Sequence, residues 1–368
     1  MWVHLCGQGG ARCCPADNDR SAGGTHARAF TVDVHCHVLT LAVEQLVATH
    51  PKKLAELAAM REGMGDASIA HNQAVMLPQA FPKLTRIEQR LADMDAMGVD
   101  VQVVSPSPNQ YCYWAEAPLA DEIVRLQNEH IAALCNAYPT RLRGLGTVAL
   151  QHPERAATQL QHAVQVLGLH GVEISTSVEG MELDDPSLEP FWAMAASLNA
   201  VVFIHPFGTN LGPRIATHYL NNTIGQPLET TVALSRLIFS GLLDRHPGVR
   251  ILAAHGGGYL PTYLGRSTHA QAVRPEAQTM ARAPRDYLRE MFFDTVVYEP
   301  IALRHLIDIV GVSQVLLGTD YPFDMGHYAP HALVAAVPAA SDSDRAAMLG
   351  GNAQRLLGIE RVERIEAG

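Results

Sequence analysis

The chain has 368 residues, 48% hydrophobic and 17% charged, with 37 acidic side chains against 27 Lys and Arg for a formal net charge of −10. This composition excludes a disordered polypeptide, and the acidic balance argues against nucleic acid or an anionic membrane as the main partner. No apolar run approaches the roughly 18 residues of a spanning helix, so no membrane partner is expected.

Residues 1–28 are rich in Gly, Ala, Arg and Cys and lack apolar periodicity. They are expected to form a disordered N-terminal extension without chemistry. Cys6, Cys13 and Cys14 lie in this segment at spacings that fit no zinc ribbon, and no CxxC pair occurs among the six cysteines. Free thiols in a reduced, cytoplasmic protein are expected.

From residue 30 onward, short β-rich runs alternate with helical patterns. Strands are expected at 30–35, 99–105, 142–150, 171–177, 200–206, 249–256, 291–298 and 313–320. Most are continuous apolar runs, as in parallel strands buried on both faces. Between them, 118–138 sets Leu119, Ile123, Leu126, Leu134 and Tyr138 on one stripe, and 153–167 opens with Pro153 and closes at Gly168. Eight βα units in series predict an α/β fold, a single (β/α)8 TIM-like barrel over residues 29–368. Longer excursions at 39–84, after the first strand, and 207–228, after the fifth, are expected to form lids over the active-site mouth.

The run VDVHCHV puts His35 and His37 two positions apart in a strand. The period of two points both imidazoles to one face, roughly 7 Å apart along the backbone, close enough to grip one metal ion. VVFIHP ends in His205 and VLLGTDYP in Asp320, also at strand ends. Three imidazoles and a carboxylate, with a position left for water, suit Zn2+ and accept Co2+, Fe2+ or Mn2+. His255 ends RILAAHGG before a triple glycine that lets backbone approach a ligand. Its role there is general acid or base, with a fifth metal ligand as the alternative. Arg90, Arg266 and Arg274 are candidate partners for a substrate carboxylate, with a solvated surface charge as the bland alternative for each. Glu173 is expected to be structural. Ser107, Pro108, Tyr113 and Trp114 are expected to line the pocket.

These residues together resemble the amidohydrolase superfamily, in its 2-amino-3-carboxymuconate-6-semialdehyde decarboxylase branch, over about 30–360. The resemblance is carried by VDVHCHV, DMDAMGVDVQVVS, RLRGLGTVALQHPE, HPFG, PLETT, AAHGGGYLPTYLGR and LLGTDYPFDMG. It implies a zinc-dependent non-oxidative decarboxylase with His35, His37, His205 and Asp320 as metal ligands. It also implies His255 as the catalytic histidine and Arg90 on a substrate carboxylate, and protonation of the carbon vacated by CO2 is expected from His255 or Asp320. Arg266 and Arg274 would then cross a homodimer interface into the neighbour's site. His-x-His at the first strand differs from the Glu-x-His of the resorcylate and salicylate branch. His205-Pro206-Phe207-Gly208 departs from the family's His-Pro-Trp-Asp, and Tyr219 and Asn222 stand where tryptophans are usual. Hydrolysis of a lactone, amide or C–C bond is the rival reaction, and a barrel that only binds a ligand is the non-enzymatic one.

Overall fold

A computed structural model of the chain describes residues 28–359. The expected extension, apart from Arg28, and the three cysteines in it lie outside the described residues. Eight parallel strands form the core: β1 (Val32–Val38), β2 (Val101–Pro106), β3 (Leu142–Gly144), β4 (Gly171–Ile174), β5 (Val201–Ile204), β6 (Arg250–Ala253), β7 (Phe292–Asp294) and β8 (Val315–Leu316). β1-β2-β3 and β4-β5-β6-β7-β8 form continuous ladders. Backbone bonds close the barrel at both joints. Gly146 N–H donates to Gly171 O at 2.9 Å, and Val34 N–H donates to Leu317 O at 2.9 Å. The expected TIM-like barrel is therefore present, with helices outside and apolar side chains filling the interior.

Apart from β1, the observed strands are shorter than the apolar runs that announced them. Past Gly146 the third run leaves the ladder, where a side chain takes over its pairing. Asn128 Nδ2 donates to Thr147 O at 2.9 Å, and Thr147 N–H donates to Asn128 Oδ1 at 2.7 Å. Asn128 sits on a buried stripe of the helix Ala117–Ala137 with Ile123, Gln127 and Ile131. That stripe is offset from the expected one, and Leu119 and Leu126 are only half-buried.

β1 carries a local irregularity with a functional consequence. Its register to β2 runs Asp33 with Gln102 and then Cys36 with Val104, so β1 holds one extra residue. Val32 and Val34 pack inside the barrel with Val101, Val103 and Phe203, whereas Cys36 and Val38 pack outward with Met94 and Val99. A strict alternation would put those four on one face. The bulge reverses the facing, so valines fill the lower interior and His35 and His37 occupy the interior above them.

The segment after β1 is a helical insertion: α1 (Leu41–Val47), α2 (Pro51–Met64), α3 (Asp66–His71), a π-helical turn at Asn72–Met76, and α4 (Leu77–Thr85). α5 (Ile87–Met97) then returns the chain to β2. The excursion after β5 contains a 3-10 turn (Gly212–Ile215) and a π-helical turn (Asn221–Gly225). Among the described residues, no helix is long and apolar enough to cross a membrane.

Candidate metal centre and active site

The carboxyl ends of three strands meet at one point. One ligand atom each from His35, His37, His205 and Asp320 lies within 4.8 Å of the others, and all four residues are buried. The imidazoles are packed edge to face, with ring centroids 5.1 Å apart for His35–His37 and 4.9 Å for each of these with His205. Asp320 Oδ1 stands 3.3 Å from His35 Nε2 and 3.4 Å from His37 Nε2.

The outer nitrogens fix the orientation of the two β1 imidazoles. His35 Nδ1 is 2.6 Å from Asp294 Oδ2, and His37 Nδ1 is 3.0 Å from the Pro106 carbonyl. Both rings donate at Nδ1 and turn Nε2 to the centre, the usual arrangement around a metal-binding imidazole. The backbone joins the strands as well, since Asp320 N–H donates to His35 O at 2.8 Å.

The residues fit a cation on their own chemistry. His35 Nε2, His37 Nε2, both ring nitrogens of His205 and Asp320 Oδ1 are buried without a hydrogen-bond partner. So many unpartnered buried polar atoms, with one from each residue converging, are costly unless an ion engages them. Burial and the neighbouring imidazoles hold His205 well below its ordinary value, leaving it neutral as a ligand must be. Burial opposes ionisation of Asp320, yet His35, His255 and His37 hold its carboxyl well below the usual range. Burial would also lower His35, but Asp320 and Asp294 outweigh it and raise the imidazole to about 10. A proton there stands in for positive charge that a divalent ion would supply.

His255 follows β6 at φ 55°, a left-handed conformation rare outside glycine. Its N–H and that of Gly256 donate to Asp294 at 2.9 and 2.8 Å. Nε2 lies 3.8 Å from Asp320 Oδ2, and the residue is outside the four-ligand set. The glycines that follow do permit close approach, but to protein rather than to a ligand. A Cβ on Gly257 would sit 2.7 Å from the Phe293 ring, and one on Gly258 2.1 Å from Pro227 O.

A cavity of about 1360 Å3 opens onto this cluster, with His205, His255 and Asp320 on its wall. Ser107, Pro108, Tyr113 and Trp114 line it, as expected, and so do Tyr219 and Asn222. Glu173 is fully buried beneath, accepting from Tyr111 Oη at 2.6 Å, and burial pushes its carboxyl up.

None of the three candidate arginines lies on the cavity wall. Arg90, on α5, is 2% exposed and does not line the cavity. Its guanidinium donates to the His37 carbonyl and, at 2.8 Å, to Gln102 Oε1, and lies 4.8 Å from the Tyr321 ring. All of these partners are protein groups, and the guanidinium stands away from the cavity wall. Arg266 and Arg274 are exposed and outside the cavity, and Arg274 pairs with Glu276. The cations on the cavity wall are instead Lys52 and Arg61, both on α2. Lys52 is tied to Trp114 O and Glu116, whereas Arg61 has no ion-pair partner among the described residues.

Two site residues escaped the sequence reading. Asp294 gathers His35, His255 and Gly256; its only signal was a lone carboxylate ending the apolar run MFF. Asp33 accepts from Thr319 N–H and Oγ1 at 3.0 and 2.7 Å and from Gln102 Nε2 at 3.0 Å, bracing the approach to Asp320.

Comparison with known proteins agrees with this geometry. The amidohydrolase family model matches residues 32–359. The chain is 35% identical over 273 residues to 2-amino-3-carboxymuconate-6-semialdehyde decarboxylase of Dictyostelium discoideum, covering 74% of this chain and 76% of that protein. The 5-carboxyvanillate decarboxylase of Sphingomonas paucimobilis superposes with a TM-score of 0.78 at 25% identity, over 90% of this chain and 100% of that one. The dihydroxybenzoic acid decarboxylase of Polaromonas, solved with bound manganese and 2-nitroresorcinol, superposes at 0.75 with 23% identity, over 92% and 100%. On the family match across nearly all described residues, the chain belongs to the amidohydrolase family, closely related to its semialdehyde and resorcylate decarboxylases.

Proposed function

We propose that the protein is a zinc-dependent, non-oxidative decarboxylase of an unsaturated or aromatic carboxylic acid, with a 2-amino-3-carboxymuconate-6-semialdehyde-like compound as the first substrate to test. One observation carries this reading: unpartnered, buried donor atoms of His35, His37, His205 and Asp320 converge at the wall of a ligand-sized cavity beside His255. Those four residues would hold the metal. Their donor set suits Zn2+ and also accepts Co2+, Fe2+ or Mn2+, the last being the ion of the Polaromonas enzyme. When bound, the ion supplies Lewis acidity and stabilises developing negative charge.

In the reaction the bond to the carboxylate breaks, CO2 departs, and the electron pair remains on the substrate carbon until a proton takes its place. A conjugated carbonyl, imine or ring spreads that charge. His255 Nε2 is the group that carries this proton, and Asp320 Oδ2 holds the imidazole toward the cavity. Tyr111, Tyr113 and Phe207 on the wall restrict water around the reacting carbon. Arg61 replaces Arg90 in drawing an anion into an acidic protein. Exposed Arg266 and Arg274 support a homodimer in which they reach a neighbour's cavity. The described cysteines, Cys36, Cys112 and Cys135, are free, which supports a reducing, cytoplasmic setting.

The test is metal-loaded protein given the semialdehyde and, separately, hydroxylated benzoates in 18O-water. The expected result is stoichiometric CO2 release, with no 18O in the phenolic product of the benzoates, which have no aldehyde oxygen to exchange with water. Incorporation of 18O with the carboxylate retained would make the enzyme a hydrolase.

A further inference from the structure

The cavity is larger and more apolar than a small carboxymuconate or a single-ring acid requires. Its roughly 1360 Å3, mouth included, exceed the 300–1,000 Å3 or so of pockets that enclose drug-sized ligands. Beyond the metal cluster, the wall is built by the insertion after β1. Along α2, Leu57, Met60 and Met64 follow one helical stripe on the cavity side, and Leu77 and Phe81 of α4 join them. Leu57, Leu77 and Phe81 are 41%, 46% and 49% exposed, an unusual degree for large apolar side chains. Apolar surface left open inside a concavity marks a ligand groove, and unbranched methionines adapt to ligands of varied shape.

We infer that the substrate is a carboxylic acid with an extended apolar body, such as a long alkyl chain or a second fused ring. Its carboxylate lies at the His/Asp cluster and its tail in the chamber under α2 and α4. This inference rests on the decarboxylase reading. The cluster and the apolar wall belong to one continuous cavity, so a ligand held at His255 extends directly between them. The chamber also has a natural plug point. Ala59 is exposed and lies on its wall, so a larger side chain there enters the space without displacing the core.

The experiment uses metal-loaded protein and 2-hydroxybenzoates bearing methyl, propyl, pentyl or heptyl chains, with CO2 release as the readout. The matching alkyl 2-nitrophenols, which have no carboxylate to lose, give affinities by calorimetry. From methyl to pentyl, kcat/KM should rise by about tenfold or more, since each buried methylene contributes up to about fourfold. Nitrophenol affinity should climb in step, and Ala59→Phe should flatten both trends. A flat affinity series, or a climb that Ala59→Phe leaves untouched, overturns the inference. Short acids decarboxylated without any gain in length sink the chamber assignment and leave the decarboxylase standing. Affinity that climbs while no acid of any length releases CO2 does the reverse.

Discussion

Asp294 accepts a hydrogen bond from His35 Nδ1 at 2.6 Å and, through the same carboxylate, from the backbone N–H groups of His255 and Gly256. One buried side chain thus sets the ring angle of a metal-ligand candidate and the position of the proton-carrying candidate. Asp294→Asn keeps the size and an acceptor for the backbone but removes the charge facing His35. Metal affinity should fall by about 10- to 100-fold while the fold is retained, because outer partners orient ligands and raise their basicity. Titration with a competing chelator measures the affinity, and circular dichroism checks the fold. Unchanged affinity would separate Asp294 from the metal site.

Arg90 makes a sharp contrast between two roles. Its guanidinium continues a buried chain through Gln102 to Asp33 and Thr319, directly before Asp320. Arg90→Met should destabilise the protein by about 1–3 kcal/mol, the usual cost of leaving buried acceptors, here Gln102 Oε1 and the His37 carbonyl, without their donor. Denaturant unfolding reads that loss. At a temperature where the variant remains folded, KM should stay within about twofold of the parent. A large rise in KM without loss of stability would return Arg90 to the substrate.

The contrast shows what the sequence could and could not reveal. His35 and His37 were legible because a strand has a period of two, and His205 and Asp320 because each ends an apolar run. The bulge in β1 was not legible, since residue spacing alone carries no register. The direction of Arg90 was not legible, because a cation on a helix announces charge but not where it points, and here it points inward at the His37 carbonyl. The helices of the 39–84 insertion were hidden for another reason. Pro78 and Pro82 and the π-helical turn Asn72–Met76 interrupt the 3.6-residue pattern, and α2 is apolar on more than one side, with Leu54 outward and Leu57 on the cavity. Asp294 sat in an apolar run, where only the closed barrel shows which histidine it meets.

The charge on His35 gives a pH signature. In metal-free protein its imidazole is raised from the ordinary 6.5 to about 10, against the effect of burial, by Asp320 and Asp294. A raised folded value means that this proton's stabilisation is complete below about pH 6.5. It is lost as pH climbs through about 10. A metal ligated at Nε2 displaces the proton, so metal affinity should strengthen with rising pH over this window. The gap in Tm between metal-loaded and metal-free protein should therefore widen from pH 6.5 to 9.5. Calorimetry in buffers of different ionisation enthalpy should show protons released on binding. A pH-independent gap with no proton release would show that His35 is already neutral.

His255 is the point at which chemistry and metal binding can be separated. It stands beside Asp320 but outside the four-ligand set, and its backbone is held by Asp294 rather than by its ring. His255→Gln should retain the metal at parental stoichiometry while kcat falls by about 10^2- to 10^4-fold, the range for loss of a proton-transferring side chain. Metal analysis beside single-turnover kinetics distinguishes the outcomes. Loss of metal together with activity would make His255 a ligand, and near-normal turnover would remove it from the reaction.

Arg61 tests how an acidic protein admits an anionic substrate. With a formal charge of −10, the overall field repels a carboxylate, and among the described residues only Lys52 and Arg61 offer a fixed positive charge on the cavity wall. Lys52 is already engaged by Glu116 and the Trp114 carbonyl, which leaves Arg61 to act on an incoming ligand. Arg61→Ala should raise KM by about three- to tenfold with little change in kcat, because an exposed rim charge acts mainly on encounter. Arg61→Glu should raise it further. Salt screens such a charge over about 10 Å at 0.1 M, so the difference between parent and variants should shrink as ionic strength increases. Steady-state kinetics from 20 to about 500 mM salt follow this directly. A kcat defect that salt does not alter would place Arg61 in contact with the reacting substrate rather than at its entrance.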